Sequence, residues 1–226
     1  VSRALGYEKR PGRFRARTST ESEEVTMSMT KRERCMAAVK GEKPDKIPYS
    51  LWSHMPQFDH DADAITEKTY EFYKTYDVDF IKTMNNGMYS IEDFGAVIDY
   101  SEVAKGGMAK LVSTPIETAE DWTKLTVKPL TEGAIARELH YLEMILEKVK
   151  ADDVPVIFTV FTPITTANKL CGGKIGQYIH QGHGEEVKAA LEVICQTTEA
   201  LAAKAIEMGA DGVFMASQMS NYATSM

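Results

Sequence analysis

A repeated order of helix, short loop and apolar strand constrains this chain more than any other feature of its sequence. In the last repeat, a long helical segment from about Glu185 to Met208 is followed almost at once by Gly212-Val213-Phe214-Met215-Ala216. Gly209 stands between them, where the C-cap of a helix needs a left-handed residue. Apolar strands joined through helices belong in a parallel sheet that helices cover on its faces. The pattern therefore predicts an α/β fold.

Four segments have the character of such strands. They begin near Ile47, Val78, Val154 and Gly212. Four parallel strands form either a small open sheet or half of a closed barrel, and four buried strands without closing partners would expose two edges. The chain has 226 residues and stops soon after the last strand, short of the roughly 250 residues of a complete eight-stranded barrel. We therefore expect an incomplete barrel.

The segments between these strands carry helix and turn signals. Thr30-Lys31-Arg32-Glu33 is a capping box, which predicts a helix beginning after Thr30 and closing at Gly41. Apolar residues at helical spacing predict helices over Thr66–Tyr76 and Leu130–Lys150, with a short helix over Thr118–Leu125. The glycine-punctuated stretch 95–111 predicts an excursion of small strands.

Composition excludes several classes of protein. The chain is 43% hydrophobic and carries a net charge of −7, which suits a globular domain and disfavours nucleic acid or anionic membranes as partners. Three cysteines without C-x-x-C spacing, no apolar run of about 20 residues and no secretory signal predict a cytoplasmic protein. Residues 1–28 lack apolar periodicity, so we expect a disordered tail, with a partner-binding basic arm as the alternative.

Several motifs together resemble the uroporphyrinogen decarboxylase (URO-D) superfamily, which includes the haem-pathway decarboxylase and the corrinoid-linked methyltransferases. The matching segments, in chain order, are Met29–Arg34, Gly41–Pro48, Val154–Ile157, Phe161–Pro163 and Met208–Gly212. The resemblance implies a TIM-type (β/α)8 barrel over residues 29–226, here truncated after about four strands. It also implies a substrate pocket at the carboxyl ends of the strands.

The strand ends depart from the decarboxylase pattern. Where the resemblance implies an Arg-Gln-Ala-Gly-Arg segment that meets substrate carboxylates, this chain has Trp52-Ser53-His54-Met55-Pro56-Gln57. Where the family has an aspartate that gathers the pyrrole N–H groups, this chain has Met84, followed by Asn85 and Asn86. Both differences remove charge that the decarboxylase uses.

The later strand ends change as well. Lys169 stands where the decarboxylase has a tyrosine, and Gln218, beside Ser217, stands where it has a serine. A substrate with eight carboxylates needs several fixed cations, whereas these strand ends supply only Lys82 and Lys169. The same segments instead predict a soft methionine lining made of Met55, Met84, Met88, Met215 and Met219.

These substitutions favour the corrinoid-linked methyl-transfer branch, acting on a small molecule. We expect His54 and Lys169 to be catalytic, although His54 could instead be a loop histidine bonded to backbone. Substrate-binding roles are expected for Trp52, Gln57, Met84, Asn85, Asn86 and Gln218.

Two alternatives remain from the sequence. One is a cofactor-independent porphyrinogen decarboxylase, and the other is an inactive half-barrel that pairs with a second chain. The resemblance implies that the methyltransferase branch binds zinc through a His-x-Cys pair and a later cysteine, which would belong to a missing C-terminal half. We therefore expect no metal or cofactor in this part of the barrel, a corrinoid protein as partner, and a homodimer.

Other polar clusters carry weaker signals. The acidic loop Asp59–Asp63 resembles an oxygen-rich metal site but lacks its glycine turn and distal glutamate, so a solvated helix entry is favoured. His180 and His183 lack the i, i+4 spacing of a metal pair, which favours a surface loop. Cys171 is expected to be a small buried residue, and Gly172-Gly173 is a weak phosphate signal.

Overall fold

The computed structural model describes residues 28–220, so all but the last residue of the predicted tail lies outside the described part. Its helices are α1 (Lys31–Val39), α2 (Ala62–Tyr76), α3 (Tyr89–Glu92), α4 (Gly133–Val149), α5 (Pro163–Leu170), α6 (Ile175–His180) and α7 (Gly184–Glu207). Its strands are β1 (Ile81–Lys82), β2 (Val97–Asp99), β3 (Lys110–Ser113), β4 (Val156–Phe161) and β5 (Gly212–Ala216). Short 3-10 helices span Val103–Lys105, Ala119–Lys124 and Lys150–Asp152.

The central sheet is parallel, with strand order β1-β4-β5. Ile81 pairs with Val156 on one side, and Ile157 pairs with Gly212 on the other. Helices connect these strands along the chain, so the predicted α/β fold is confirmed. The last strand begins and ends where the sequence predicted it.

The expected first strand near Ile47 is wrong. Asp79 N donates to the Tyr49 carbonyl at 2.8 Å, but residues 47–53 form no continuous ladder. Pro48 has no N–H to donate, and the side chain of Ile47 is 85% exposed. The described residues therefore build a sheet of three parallel strands rather than four, and this sheet is open.

The glycine-punctuated stretch forms a small antiparallel pair, β2 with β3, as predicted. The short helix predicted over Thr118–Leu125 follows as a 3-10 helix, Ala119–Lys124, which begins with a capping box of Thr118 and Asp121. Trp122 in this turn is 1% exposed and packs edge-on against Tyr178 at 5.5 Å. This contact places Trp122 in a second apolar cluster, which also contains buried residues of α7.

The main core lies between the sheet and the helices α2 and α4. The apolar stripe predicted along α4 is buried, with Leu142 and Ile145 fully enclosed. Phe158 and Val160 of β4 are also fully buried. No helix among residues 28–220 has both the length and the apolar character to cross a membrane.

A buried ion pair positions the chain that enters the site. Arg34 of α1, which is 4% exposed, donates Nη1 to Asp79 at 2.5 Å and Nε to Asp45 at 2.6 Å. Asp79 in turn accepts from the backbone N–H of Tyr49 at 3.0 Å. The segment leading to Trp52 is therefore held along the start of β1.

Candidate functional site

The carboxyl ends of the three parallel strands meet at one edge of the sheet and line a cavity of about 480 Å³. Lys82 and the residues after it come from β1, Thr159 and Phe161 from β4, and Phe214 and Ala216 from β5. A largely apolar pocket with a few convergent polar groups is the usual form of a small-molecule site. We therefore treat this cavity as the candidate functional site.

The residues predicted from strand ends converge here, although their roles stay predictions. The cavity is lined by Trp52, His54, Met84, Asn85, Asn86, Lys169 and Gln218. Gln57 does not line it and lies exposed on the turn before α2, between Pro56 and Asp59, which do line it. Of the predicted methionine lining, Met84 and Met88 are present, joined by Met108.

The remaining predicted methionines lie elsewhere. Met55 packs against the main core and Met219 against the second apolar cluster, while Met215 is 50% exposed on β5. Successive side chains of a strand point to opposite faces, so Met215 turns away from the cavity that its neighbours Phe214 and Ala216 line. The soft lining is thus smaller than the sequence predicts.

Two lysines supply the positive charge of the cavity. Lys82 Nζ lies 4.0 Å from the ring centroid of Trp52 and 4.7 Å from that of Phe214. Lys169 Nζ donates to the carbonyl of Gly87 at 2.8 Å and lies 4.1 Å from the ring centroid of Phe161. Burial lowers the pKa of each lysine to about 8.

His54 stands at the mouth of this cavity and is exposed. Its ring meets that of Trp52 edge-on at 5.0 Å. Desolvation lowers the pKa of His54, and the positive charges of Lys82 and Lys169 lower it further. The lowered pKa favours the neutral imidazole, which can accept a proton.

Asp59 is a carboxyl group of the site that the sequence analysis did not select. It is 6% exposed, lines the cavity, and accepts a hydrogen bond from Asn86 Nδ2 at 2.9 Å. Burial raises the pKa of Asp59 to about 6. Its acidic neighbour Asp61 instead caps α2, accepting from Ala64 N at 3.1 Å, as a solvated helix entry predicts.

A second carboxyl group lies beneath the cavity floor. Asn85 donates Nδ2 to Glu138 Oε2 at 2.9 Å, and Arg137 donates Nη2 to Glu138 Oε1 at 3.1 Å. Glu138 is 2% exposed, and burial raises its pKa to about 7. The hydroxyl of Thr83 also donates to Asn85 Oδ1, so the amide is held in one orientation.

The other polar clusters carry no metal geometry. Within residues 28–220, no three His, Cys, Asp or Glu side chains come together in a way that could hold a metal ion. His183 contacts Glu186 at 3.7 Å on the surface, away from the cavity. Cys171 is buried, and burial raises the pKa of its thiol. Residues 28–220 therefore supply no ligand set for the zinc that the resemblance implies.

Lys82 and Asp59 are the site residues that sequence reasoning underrated. A lysine within the apolar segment 78–83 is a usable signal, since a lysine on a buried strand must point its ammonium group into a cavity. Asp59 offers no such signal, because the acidic run before α2 looks like an ordinary helix entry.

Comparison with known proteins decides the family. The profile of the uroporphyrinogen decarboxylase (URO-D) family matches residues 30–224. The chain belongs to the URO-D family. Among solved structures, a methyltransferase from Methanosarcina mazei matches 83% of this chain with a TM-score of 0.69 at 20% sequence identity. No curated protein matches the sequence significantly.

The chain spans 59% of the length of that methyltransferase. At this identity the match shows a shared fold and nothing more. In this chain the cavity lies where the sheet presents the carboxyl ends of its strands. Membership of the family does not fix the reaction, so the chemistry of this chain has to be inferred from the residues that line its cavity.

Proposed function

We propose that this chain acts in methyl transfer from a corrinoid carrier to a small acceptor molecule, and that decarboxylation of a porphyrinogen is not its reaction. The observation that carries the proposal is the lining of the cavity. Its charged side chains are Lys82, Lys169 and Asp59, and no arginine lines it among the described residues. The rest of the lining is mostly aromatic rings, thioethers and neutral amides.

This lining suits a small substrate better than a porphyrinogen. Replacing the hydration of eight carboxylates requires several bidentate cations, and arginine is the residue suited to that task. Lys82 and Lys169 are two point charges, while Asn85 is already engaged with Glu138 and Asn86 with Asp59. Most carboxylates of a porphyrinogen would therefore lose water without gaining a partner.

The chain's own residues supply a proton acceptor for such a transfer. When a thiol takes a methyl group, the sulfur–carbon bond would form as the bond between the methyl carbon and the carrier breaks. The electron pair of the broken bond would stay on the carrier, and the thiol proton would leave to a base. His54 stands at the cavity mouth and its lowered pKa favours the neutral imidazole, which suits it to take that proton. The rings of Trp52 and Phe214 shield the acceptor from water on the same side.

We also propose that the open sheet is one side of a (β/α)8 barrel. Parallel strands in the order β1-β4-β5, with connecting helices and a pocket at their carboxyl ends, are arranged as in such barrels. Lys82 and Lys169 are the one feature of the cavity that favours the alternative, porphyrinogen decarboxylation, since they attract carboxylates, but two charges are too few for a substrate with eight of them.

The test is methyl transfer from methylcobalamin to a panel of thiols and other small nucleophiles. We expect the methylated acceptor to accumulate in proportion to protein concentration, measured by mass spectrometry, while methylcobalamin absorbance falls. Heat-denatured protein is the control. Methylcobalamin that stays intact with every acceptor contradicts the proposal.

A further inference from the structure

The ammonium groups of Lys82 and Lys169 share one cavity, and among residues 28–220 neither forms an ion pair with a carboxylate. Lys82 is 7% exposed, and its Nζ lies between the rings of Trp52 and Phe214. Among the described residues, no carboxylate and no backbone carbonyl accepts a hydrogen bond from it. An ammonium group has three donors, so a buried one without acceptors is unsatisfied unless a ligand or water meets it.

Lys169 is only partly satisfied. Its Nζ donates one bond, to the carbonyl of Gly87, and covers the ring of Phe161. Two of its three N–H donors have no protein acceptor in the part of the chain that the structure describes. Its side chain lines the same cavity as that of Lys82.

The acid of the cavity does not neutralise these charges. Asp59 accepts a hydrogen bond from Asn86, and among the described residues it forms no ion pair with either lysine. Both lysines, by contrast, act on His54 and lower its pKa. The two lysines therefore act together on the region around His54, and no carboxylate of the described residues forms an ion pair with either of them.

We propose that Lys82 and Lys169 form a subsite for a small oxyanion, a carboxylate or a phosphate, carried by the acceptor molecule. Charge-assisted hydrogen bonds to both ammonium groups would replace the acceptors that the protein does not supply. The apolar part of the ligand would lie against Met84, Met88 and Phe161, which line the same cavity. The acceptor is thus a compact amphipathic anion.

The subsite refines the proposed function. It rests on that function only in taking the bound anion to be the methyl acceptor. Binding of an anion needs no methyl transfer, however, and is measured separately. A protein that binds the probes but transfers no methyl group refutes the proposed function alone. A protein that transfers methyl groups but binds neutral and anionic probes equally refutes the subsite alone.

The probes are butyrate and inorganic phosphate, with butyramide as the neutral counterpart of butyrate, in calorimetric titrations of the full chain. We expect millimolar or tighter binding of the two anions and at least roughly tenfold weaker binding of butyramide, the loss of one charge-assisted contact. The subsite is overturned if butyramide binds as tightly as the two anions, or if none of the three probes binds.

Variants then locate the binding. Lys82→Met and Lys169→Met keep the length of the side chain, and each should weaken anion binding by roughly tenfold or more. Lys188→Met, at an exposed position of α7, is the matched control and should bind as the wild type does. Lys82→Arg, which keeps the charge, should retain binding. Equal affinity in Lys82→Met, Lys169→Met and Lys188→Met overturns the proposal.

Discussion

At the scale of single residues, Lys82 stands in an unusual environment. A lysine on a buried strand places an ammonium group among apolar atoms, and here two aromatic rings flank it within 5 Å. Cation–π contacts recover part of the lost hydration, yet burial still moves the pKa of Lys82 from 10.5 to about 8. Each of the two buried charges, on Lys82 and on Lys169, therefore lowers the free energy of unfolding.

The first prediction concerns the pH dependence of stability. Between pH 8 and pH 10.5 the unfolded chain binds more protons at Lys82 and Lys169 than the folded chain does. The contribution of both lysines to the free energy of unfolding should therefore increase as pH rises through this window. The test is urea denaturation of the Lys82→Met, Lys169→Met double variant in a buffer poor in anions. At pH 7 its free energy of unfolding should exceed that of the wild type by about 1 kcal/mol or more, and this difference should become smaller by pH 10. A gap that stays constant from pH 7 to pH 10 contradicts the assigned shifts.

The second prediction concerns His54. If its imidazole takes the acceptor proton, His54→Ala should lower the rate of methyl transfer by roughly 10²-fold. The melting temperature should stay unchanged, because His54 is exposed. His140→Ala, at an exposed position of α4, is the control and should change neither quantity. A lower melting temperature with normal specific activity would make His54 a structural residue.

At the scale of elements, the junction of α7 with β5 depends on one glycine. Gly209 has a φ of +113°, a backbone conformation that residues with a side chain rarely adopt. We predict that Gly209→Ala lowers the free energy of unfolding by about 1–2 kcal/mol in urea denaturation. Gly212→Ala is the matched control, because an added Cβ there meets no atom within 4 Å. Equal stability of the two variants would show that the junction tolerates a side chain at 209.

Local signals explain which elements could be predicted from the sequence. The capping box at Thr30 forms as predicted, with Glu33 N donating to the Thr30 hydroxyl at 3.1 Å. The apolar stripe of α4 and the strand β5 are also confirmed. Their signals, like the capping box, are patterns within a few neighbouring residues and need no knowledge of distant contacts. The strand near Ile47 is wrong because a ladder is a tertiary contact that Pro48 interrupts.

The site was predictable where it follows from topology. Parallel strands bring their carboxyl ends together, so Asn85, Lys169 and Gln218 could be expected at one edge. Burial could not be predicted in the same way. Asp59 lies within the cavity while Gln57, two residues earlier, is exposed, and only the bend of the chain before α2 separates them.

At the scale of the whole molecule, the open sheet has consequences for association. Within residues 28–220, the outer edges of β1 and β5 pair with no strand, and Phe214 and Met215 are 42% and 50% exposed. Exposed apolar edges pair with other chains, and covering about 800 Å² of apolar surface is worth on the order of 20 kcal/mol.

We therefore predict that the 226-residue chain self-associates at micromolar concentration, as sedimentation velocity would measure. Met215→Lys, which places a charge on the exposed face of β5, should shift the distribution towards monomer. A wild-type monomer that unfolds cooperatively at the same concentration would contradict the prediction.

The central claim is that this URO-D cavity serves a small acceptor and no porphyrinogen. Two lysines and no arginine line it among the described residues, so most of eight carboxylates would be desolvated without partners. The most direct measurement is the conversion of uroporphyrinogen to coproporphyrinogen by the purified protein, followed by chromatography of the oxidised porphyrins. We predict no product above the protein-free background. Coproporphyrinogen that forms in proportion to protein concentration would contradict the claim.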